Sequence, residues 1–202
     1  MGATVTLTLG GQTYTALVAA GGTFSVTVPG SAVAHIADGL QTVSASVTNA
    51  FGQTGTANQG LLVDTTAPGA ATVTVPEGPY VNALEALSAG GTPLTITLPA
   101  GSQAGDVVTT AVQLPDGTVQ VLSTTLSAAD ITAGSVTQVI ATATLSVDGP
   151  WSTRTTITDT AGNTGPAATG GFTLDTSAPA APSAILAAAS DSGLLGDSIT
   201  ND

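Results

Sequence analysis

The chain has 202 residues, with 13 acidic side chains against a single Arg154 and no lysine, for a net charge of −12. That balance excludes nucleic acid as a partner, because phosphate neutralisation needs clustered Lys or Arg, and it tells equally against an anionic membrane surface. No apolar run approaches the roughly 20 residues that span a bilayer, and the absence of cysteine excludes disulfide staples and thiolate-bound metals.

In chain order, the elements alternate with period two. Thr4-Val5-Thr6-Leu7-Thr8-Leu9 reads as a strand with one packed and one wet face. Phe24-Ser25-Val26-Thr27-Val28, Val43-Ser44-Ala45-Ser46-Val47, Leu94-Thr95-Ile96-Thr97-Leu98 and Thr118-Val119-Gln120-Val121-Leu122 repeat the pattern. Their β-branched Thr and Val favour extended backbone. Gly10-Gly11, Gly21-Gly22, Asp38-Gly39, Gly90-Gly91, Asp116-Gly117 and Asp148-Gly149 supply turns between them. Only two short helical links are predicted, over Ser31–Ile36 and from the capping-box spacing Ser127–Asp130. The fold class is all-β.

Internal repetition organises these elements. Asp64-Thr65-Thr66-Ala67-Pro68 recurs as Asp175-Thr176-Ser177-Ala178-Pro179, and Asp38-Gly39 recurs as Asp148-Gly149. Between those landmarks Val47–Thr54 aligns with Ile157–Thr164, and the two helical turns are expected to correspond. A unit of about 110 residues with some seven short strands has the size of an immunoglobulin-like sandwich. The expected division is 1–66, a repeat lacking its opening strands; 67–177, a complete repeat; and 178–202, the first strand of a following one. Tandem sandwiches stacked end to end follow. With no signal peptide at Met1, either the segment is internal to a longer protein or export uses a signal elsewhere.

These landmarks resemble the bacterial Ig-like tandem repeats of large secreted adhesins and biofilm-associated surface proteins. The matching segments are Leu62–Pro68 and Thr173–Pro179, the acidic Gly-Asn turn Thr158–Asn163, and Asp191-Ser192-Gly193 through Gly196–Asn201. The resemblance implies extender modules exported by type I secretion to the bacterial cell surface, with calcium held at the joints between domains.

Calcium takes six to eight oxygen ligands, mostly carboxylate and carbonyl. For the second joint the candidates are Asp159, Asn163 and Asp175, followed by Asp191, Asp197, Asn201 and Asp202 of the next unit. For the first joint they are Asp64 with Glu77, Asn82 and Glu85. Asn49 and Gln53 stand where the second repeat has Asp159 and Asn163, so the first joint is expected to be the weaker. Against this, Asp and Asn are ordinary turn residues that bond their own backbone, and Asp38, Asp116 and Asp148, each before glycine, are read as turn residues only.

Catalysis has little support. His35 lies in a short link, no Gly-x-Ser-x-Gly occurs, and there is almost no aromatic platform for a sugar beside Glu77 and Glu85. Trp151, Tyr14, Tyr80, Phe24 and Phe172 are expected to pack, and Phe51 to be exposed at the first joint. The expected function is a non-catalytic, monomeric extender whose partners are neighbouring repeats, projecting a distal binding domain for adhesion and biofilm formation. Any cell-surface or glycan target would then be met by other domains. The alternatives are a sugar- or protein-binding module and a filament subunit assembled by strand exchange.

Overall fold

A computed structural model describes residues 2–184, and the candidates Asp191, Asp197 and Asn201 lie outside them, as does Asp202. The alternating segments form strands in two groups. The first is a four-stranded antiparallel sheet of β1 (Thr4–Leu9), β2 (Gln12–Leu17), β3 (Gly39–Thr48) and β4 (Thr54–Val63), in the order β2-β1-β3-β4. Gly10 and Gly11 turn β1 into β2 with φ of 58° and 76°, the left-handed pair that a two-residue hairpin demands. A one-turn helix, α1 (Gly30–Val33), precedes β3.

The second group begins with β5 (Thr72–Thr74), β6 (Tyr80–Asn82), α2 (Ala83–Leu87) and β7 (Gly91–Thr97). It continues through β8 (Val107–Gln113), β9 (Val119–Thr125), α3 (Ala128–Ala133), β10 (Ser135–Ala141), β11 (Gly149–Thr158) and β12 (Ala168–Asp175). These strands form two sheets, ordered β10-β7-β5 and β6-β12-β11-β8-β9. Between β5 and β6 the chain crosses from one sheet to the other through Pro76-Glu77-Gly78-Pro79, where the two prolines cannot continue a ladder. After the crossing β6 pairs parallel with β12.

Between these sheets lies one apolar core. β7 and β10 contribute Leu94, Ile96, Val136 and Ile140, while β8, β11 and β12 contribute Val108, Val112, Trp151, Ile157, Phe172 and Leu174. Trp151 stacks on Phe172 with ring centroids 5.7 Å apart, and its indole N–H donates to the Val147 carbonyl. On the inner face the hydroxyls of buried Thr110 and Thr155 pair at 2.8 Å, while those of Thr92 and Thr153 are buried without a partner. Gly91 is sterically required, because a Cβ there would stand 2.0 Å from the Ile140 carbonyl oxygen.

The order β2-β1-β3-β4 reproduces β9-β8-β11-β12, so the repeat deduced from the sequence is a structural repeat. Three expectations fail. The helical turns do not correspond: α3 lies between β9 and β10, whereas α1 follows Phe24–Val28, the counterpart of β10. Phe24–Val28 itself forms no ladder, because β10 pairs with β7 and the first group has no counterpart of β7 among the described residues. The small first core is Leu9, Ile36 and Val63, with Leu7, Val28 and Val43 packed against it. Phe24 and Tyr80, expected to pack, are 43% and 73% exposed.

Because the two cores share no residue, they should respond separately to mutation. Ile140→Ala should cost about 2–5 kcal/mol in the second sandwich, read as a lower urea midpoint of Trp151 fluorescence. Leu7→Ala, in the first core, should leave that Trp151 transition in place.

Candidate functional site

The ends of the sandwiches are built by a recurring pair of devices. At the end of β4, Asp38 accepts from the Thr65 backbone N–H at 2.8 Å, from the Thr65 hydroxyl at 2.7 Å, and from the Thr66 hydroxyl. At the end of β12, Asp148 does the same with the Thr176 N–H at 2.9 Å and with the hydroxyls of Thr176 and Ser177. Each carboxylate thus clasps the chain as it leaves the sandwich. Asp64 and Asp175 bend that chain further by accepting from Thr66 and Ser177 N–H. Asp38 and Asp148 are thus more than the turn residues their place before glycine suggests. The signal that could have found the clasp is that both recur in step with the Asp-Thr-Thr/Ser motif. Asp116 is the turn residue expected, capping Thr118 N–H.

The second device is the acidic turn. Asp159 accepts from the N–H groups of Ala161 and Asn163 and from the Asn163 side chain. In the first repeat the Asn49 side-chain oxygen likewise accepts from the Phe51 and Gln53 N–H groups, but its amide donates to the Gln53 side-chain oxygen. Asp159 follows the last residue of β11 and Asp175 pairs beside its first, so they lie at opposite ends of a ten-residue strand, roughly 30 Å apart.

This geometry rearranges the expected joints. Asp159 and Asn163 do not converge with Asp175; the Asn163 side chain donates to the Asp64 carbonyl at 3.1 Å. A Cβ on Gly165 would meet the Pro68 carbonyl oxygen at 2.3 Å, so the linker and this turn are in direct apposition. The acidic turn of the second repeat therefore belongs to the first joint, which carries the carboxylate it was expected to lack. Conversely, Asn82 lies beside Asp175 in the β6–β12 ladder, away from Asp64. Asn82 and Glu85 cap α2 reciprocally, Asn82 accepting from Leu84 and Glu85 N–H and Glu85 accepting from Asn82 N–H. Glu77 is half-buried in the sheet crossing, with Oε2 shielded and without a hydrogen-bond partner. Phe51 is 90% exposed, but in the Asn49 turn, at the end of β3 remote from Asp64.

At the first joint a cleft of about 220 Å³ is lined by Asp64, Thr66, Pro68, Gln103, Asp106 and Asp159, among others. Asp106 was missed as a candidate. It is 3% exposed, and its Oδ2 accepts from the Gln103 N–H at 2.8 Å. Among the described residues no group of three or more His, Asp or Glu side chains forms a ready-made metal site.

With two sheets, a sheet-switching first strand and repeated ends, the chain has the architecture of an immunoglobulin-like repeat. No family profile and no curated protein matches it. Among solved structures, a bacterial immunoglobulin-like domain from the M. primoryensis ice-binding adhesin is 30% identical, covering 55% of this chain and 100% of that one, with a TM-score of 0.36. The chain belongs to the bacterial immunoglobulin-like family. A Ca2+-stabilized adhesin that helps an Antarctic bacterium reach out and bind ice is 34% identical over 89% of this chain and 41% of that one, TM-score 0.48. A 1.5-MDa bacterial ice-binding adhesin, studied for host cell surface retention, is 27% identical over 88% and 55%, TM-score 0.46. The chain spans about two fifths to a little over half of those two longer adhesin structures.

Hydrogen bonding holds several carboxyls below the ordinary aspartate range. For Asp148 the cause is the Thr176 N–H, then the Thr176 and Ser177 hydroxyls. For Asp38 it is the Thr66 and Thr65 hydroxyls and the Thr65 N–H, and for Asp159 chiefly the Asn163 side chain. A carboxyl whose value is lower folded than unfolded stabilises the fold above its unfolded value and loses that effect as pH falls through its folded one. The clasps should therefore loosen below about pH 4. Asp148→Asn should lower the melting temperature at pH 7, with the gap from the parent narrowing at pH 3; thermal melts of Trp151 fluorescence across that range check this.

Proposed function

We propose that this chain is a non-catalytic extender segment of a bacterial cell-surface adhesin, with its inter-domain joint stiffened by calcium. The observation that supports it is the cleft at the first joint. Asp64 from one repeat and Asp106 and Asp159 from the next all line one small cleft, and Asp106 is almost wholly buried. Withdrawing a carboxylate from water is costly unless a cation or strong donors compensate. A hard divalent ion is suited to carboxylate, amide and carbonyl oxygens of this kind.

In this reading Asp64, Asp106 and Asp159 hold the ion, with the Gln103 side chain and linker carbonyls as further oxygens. The bound ion supplies positive charge that offsets mutual repulsion across the joint. Asp175, with Asp148 fixing the outgoing chain, would begin the equivalent site at the second joint, where Asp191, Asp197 and Asn201 are the proposed complement. Asn82 and Glu85 stand near Asp175 by way of the β6–β12 ladder, but their oxygens already cap α2. Repeats joined this way form a rod that projects a distal binding domain from the cell, supporting adhesion and biofilm formation. The partners within the rod are the neighbouring repeats.

Small-angle X-ray scattering and thermal melting of the 202-residue chain, in excess calcium and in chelator, test this. Calcium should lengthen the particle and raise the melting temperature, by about 2.7 kcal/mol of stabilisation at a hundredfold excess over Kd. Asp106→Asn should abolish most of the response while leaving the melt in chelator nearly unchanged. Equal shapes and melts with and without calcium would refute the calcium joint.

A further inference from the structure

The first joint is anchored from both sides along one short stretch of chain. On the first repeat, Asp38 accepts from the Thr65 N–H and from the hydroxyls of Thr65 and Thr66. On the second, the Asn163 side chain donates to the Asp64 carbonyl at 3.1 Å, and Gly165 lies buried against Pro68. A Cβ on Gly165 would stand 2.3 Å from the Pro68 carbonyl oxygen and 3.2 Å from that of Gly69. One step on, a Cβ on Gly69 would stand 3.1 Å from the Pro99 Cβ. Only Ala67 separates the clasped Thr66 from the seated Pro68.

Both seats are fixed to the second sandwich. Gly165 donates its N–H to the Ile157 carbonyl at 2.9 Å, beside the Thr158–Thr164 bridge and its hydroxyl pair at 2.9 Å. Pro99 follows Leu98, whose N–H donates to the Gly134 carbonyl at 2.9 Å, and the Pro99 carbonyl accepts the Ser102 hydroxyl at 2.9 Å. The backbone of Gly165 is not left-handed, so space alone requires glycine there. The nearest atoms that an added Cβ would meet all belong to the linker.

We infer that the Pro68-Gly69 step, seated on Gly165 and Pro99, is a metal-independent lock that limits the swing of the first joint. This rests on the extender reading of the chain, but it acts through packing and needs no ion. With Thr66 held by one repeat and Pro68 by the next, the freedom left between them is the φ and ψ of Ala67. Proline narrows even that: it fixes its own φ and steers the residue before it away from the helical region. A bound ion then removes the motion that the lock leaves. The lock also discriminates among linkers. The counterpart of Gly69 after Asp175–Pro179 is Ala180, and a seat like Pro99 takes that extra methyl only by giving way.

The chain has no cysteine, so Thr56→Cys and Ser123→Cys, both at exposed positions, place one spin label on each repeat of the full 202-residue chain. Double electron–electron resonance then reads the spread of distances between the labels. In chelator, Gly165→Ala should broaden and shift that distribution relative to the parent, with the Trp151 melt close to the parent's. Gly69→Ala should broaden it less. Adding Pro99→Gly to Gly69→Ala removes the Cβ that the alanine meets and should restore the narrower distribution, which decides the matter if Gly165→Ala lowers the melt. Calcium should narrow the parent further. Identical distributions for the parent and Gly165→Ala in chelator would overturn the lock, as would failure of Pro99→Gly to rescue Gly69→Ala. A parent that ignores calcium, while Gly165→Ala still broadens the distribution, would sink the calcium joint and leave the lock standing.

Discussion

A β-sheet made of alternating Thr and aliphatic residues has one face that water tolerates and one that it does not, and a second sheet must cover the latter. In the second repeat this constraint is met by Leu94, Ile96, Val136 and Ile140 pressing onto Val108, Ile157, Phe172 and Leu174. Everything else in that repeat is arranged around the closure. The chain crosses sheets at Pro76–Pro79 so that β5 and β6 serve both layers, and Gly91 lets β7 approach β10 without a side chain in the way. Among the described residues the first repeat has no covering sheet, and Phe24–Val28, with the right alternation, stays out of any ladder. Backbone alternation is therefore not sufficient for a strand; a partner must be present.

The same closure fixes the ends. Once β11 is held between β8 and β12, its two termini carry two different polar devices. At one terminus Asp148 grips the departing Thr176-Ser177; at the other Asp159 and Asn163 form a rigid turn. Each repeat carries a clasp at its exit and a turn closed by Asn49 or Asp159 at its other end, so a clasped linker meets the turn of the repeat that follows. Asn163 bonding the Asp64 carbonyl is that meeting at the first joint. The carboxylates fall where the linker passes.

The chain belongs to the bacterial immunoglobulin-like family. The comparison does not by itself say what an individual carboxylate does. Asn82 and Glu85 show why: acidic and amide residues at a suggestive spacing are used up in capping a five-residue helix. Asp106, which carries no motif, is the carboxylate that is buried in the joint cleft.

The all-β class, the strands at Thr4–Leu9, Val43–Val47 and Leu94–Thr97, the 110-residue repeat and the acidic turn were all legible in the sequence. They follow from local rules: period-two alternation, β-branched side chains, glycine and aspartate in turns, and recurrence of short motifs. Local rules cannot say which end of a strand meets which neighbour. Asp159 and Asp175 are close in sequence yet sit at opposite ends of β11, while Asp64 and Asn163, 99 residues apart, are in contact. That exchange of partners between the joints, the clasp role of Asp38 and Asp148 and the burial of Asp106 were decided by tertiary structure alone. The reason is physical: hydrogen bonding across a joint depends on strand direction and sheet order, which the packing of two sheets sets and a linear pattern does not encode.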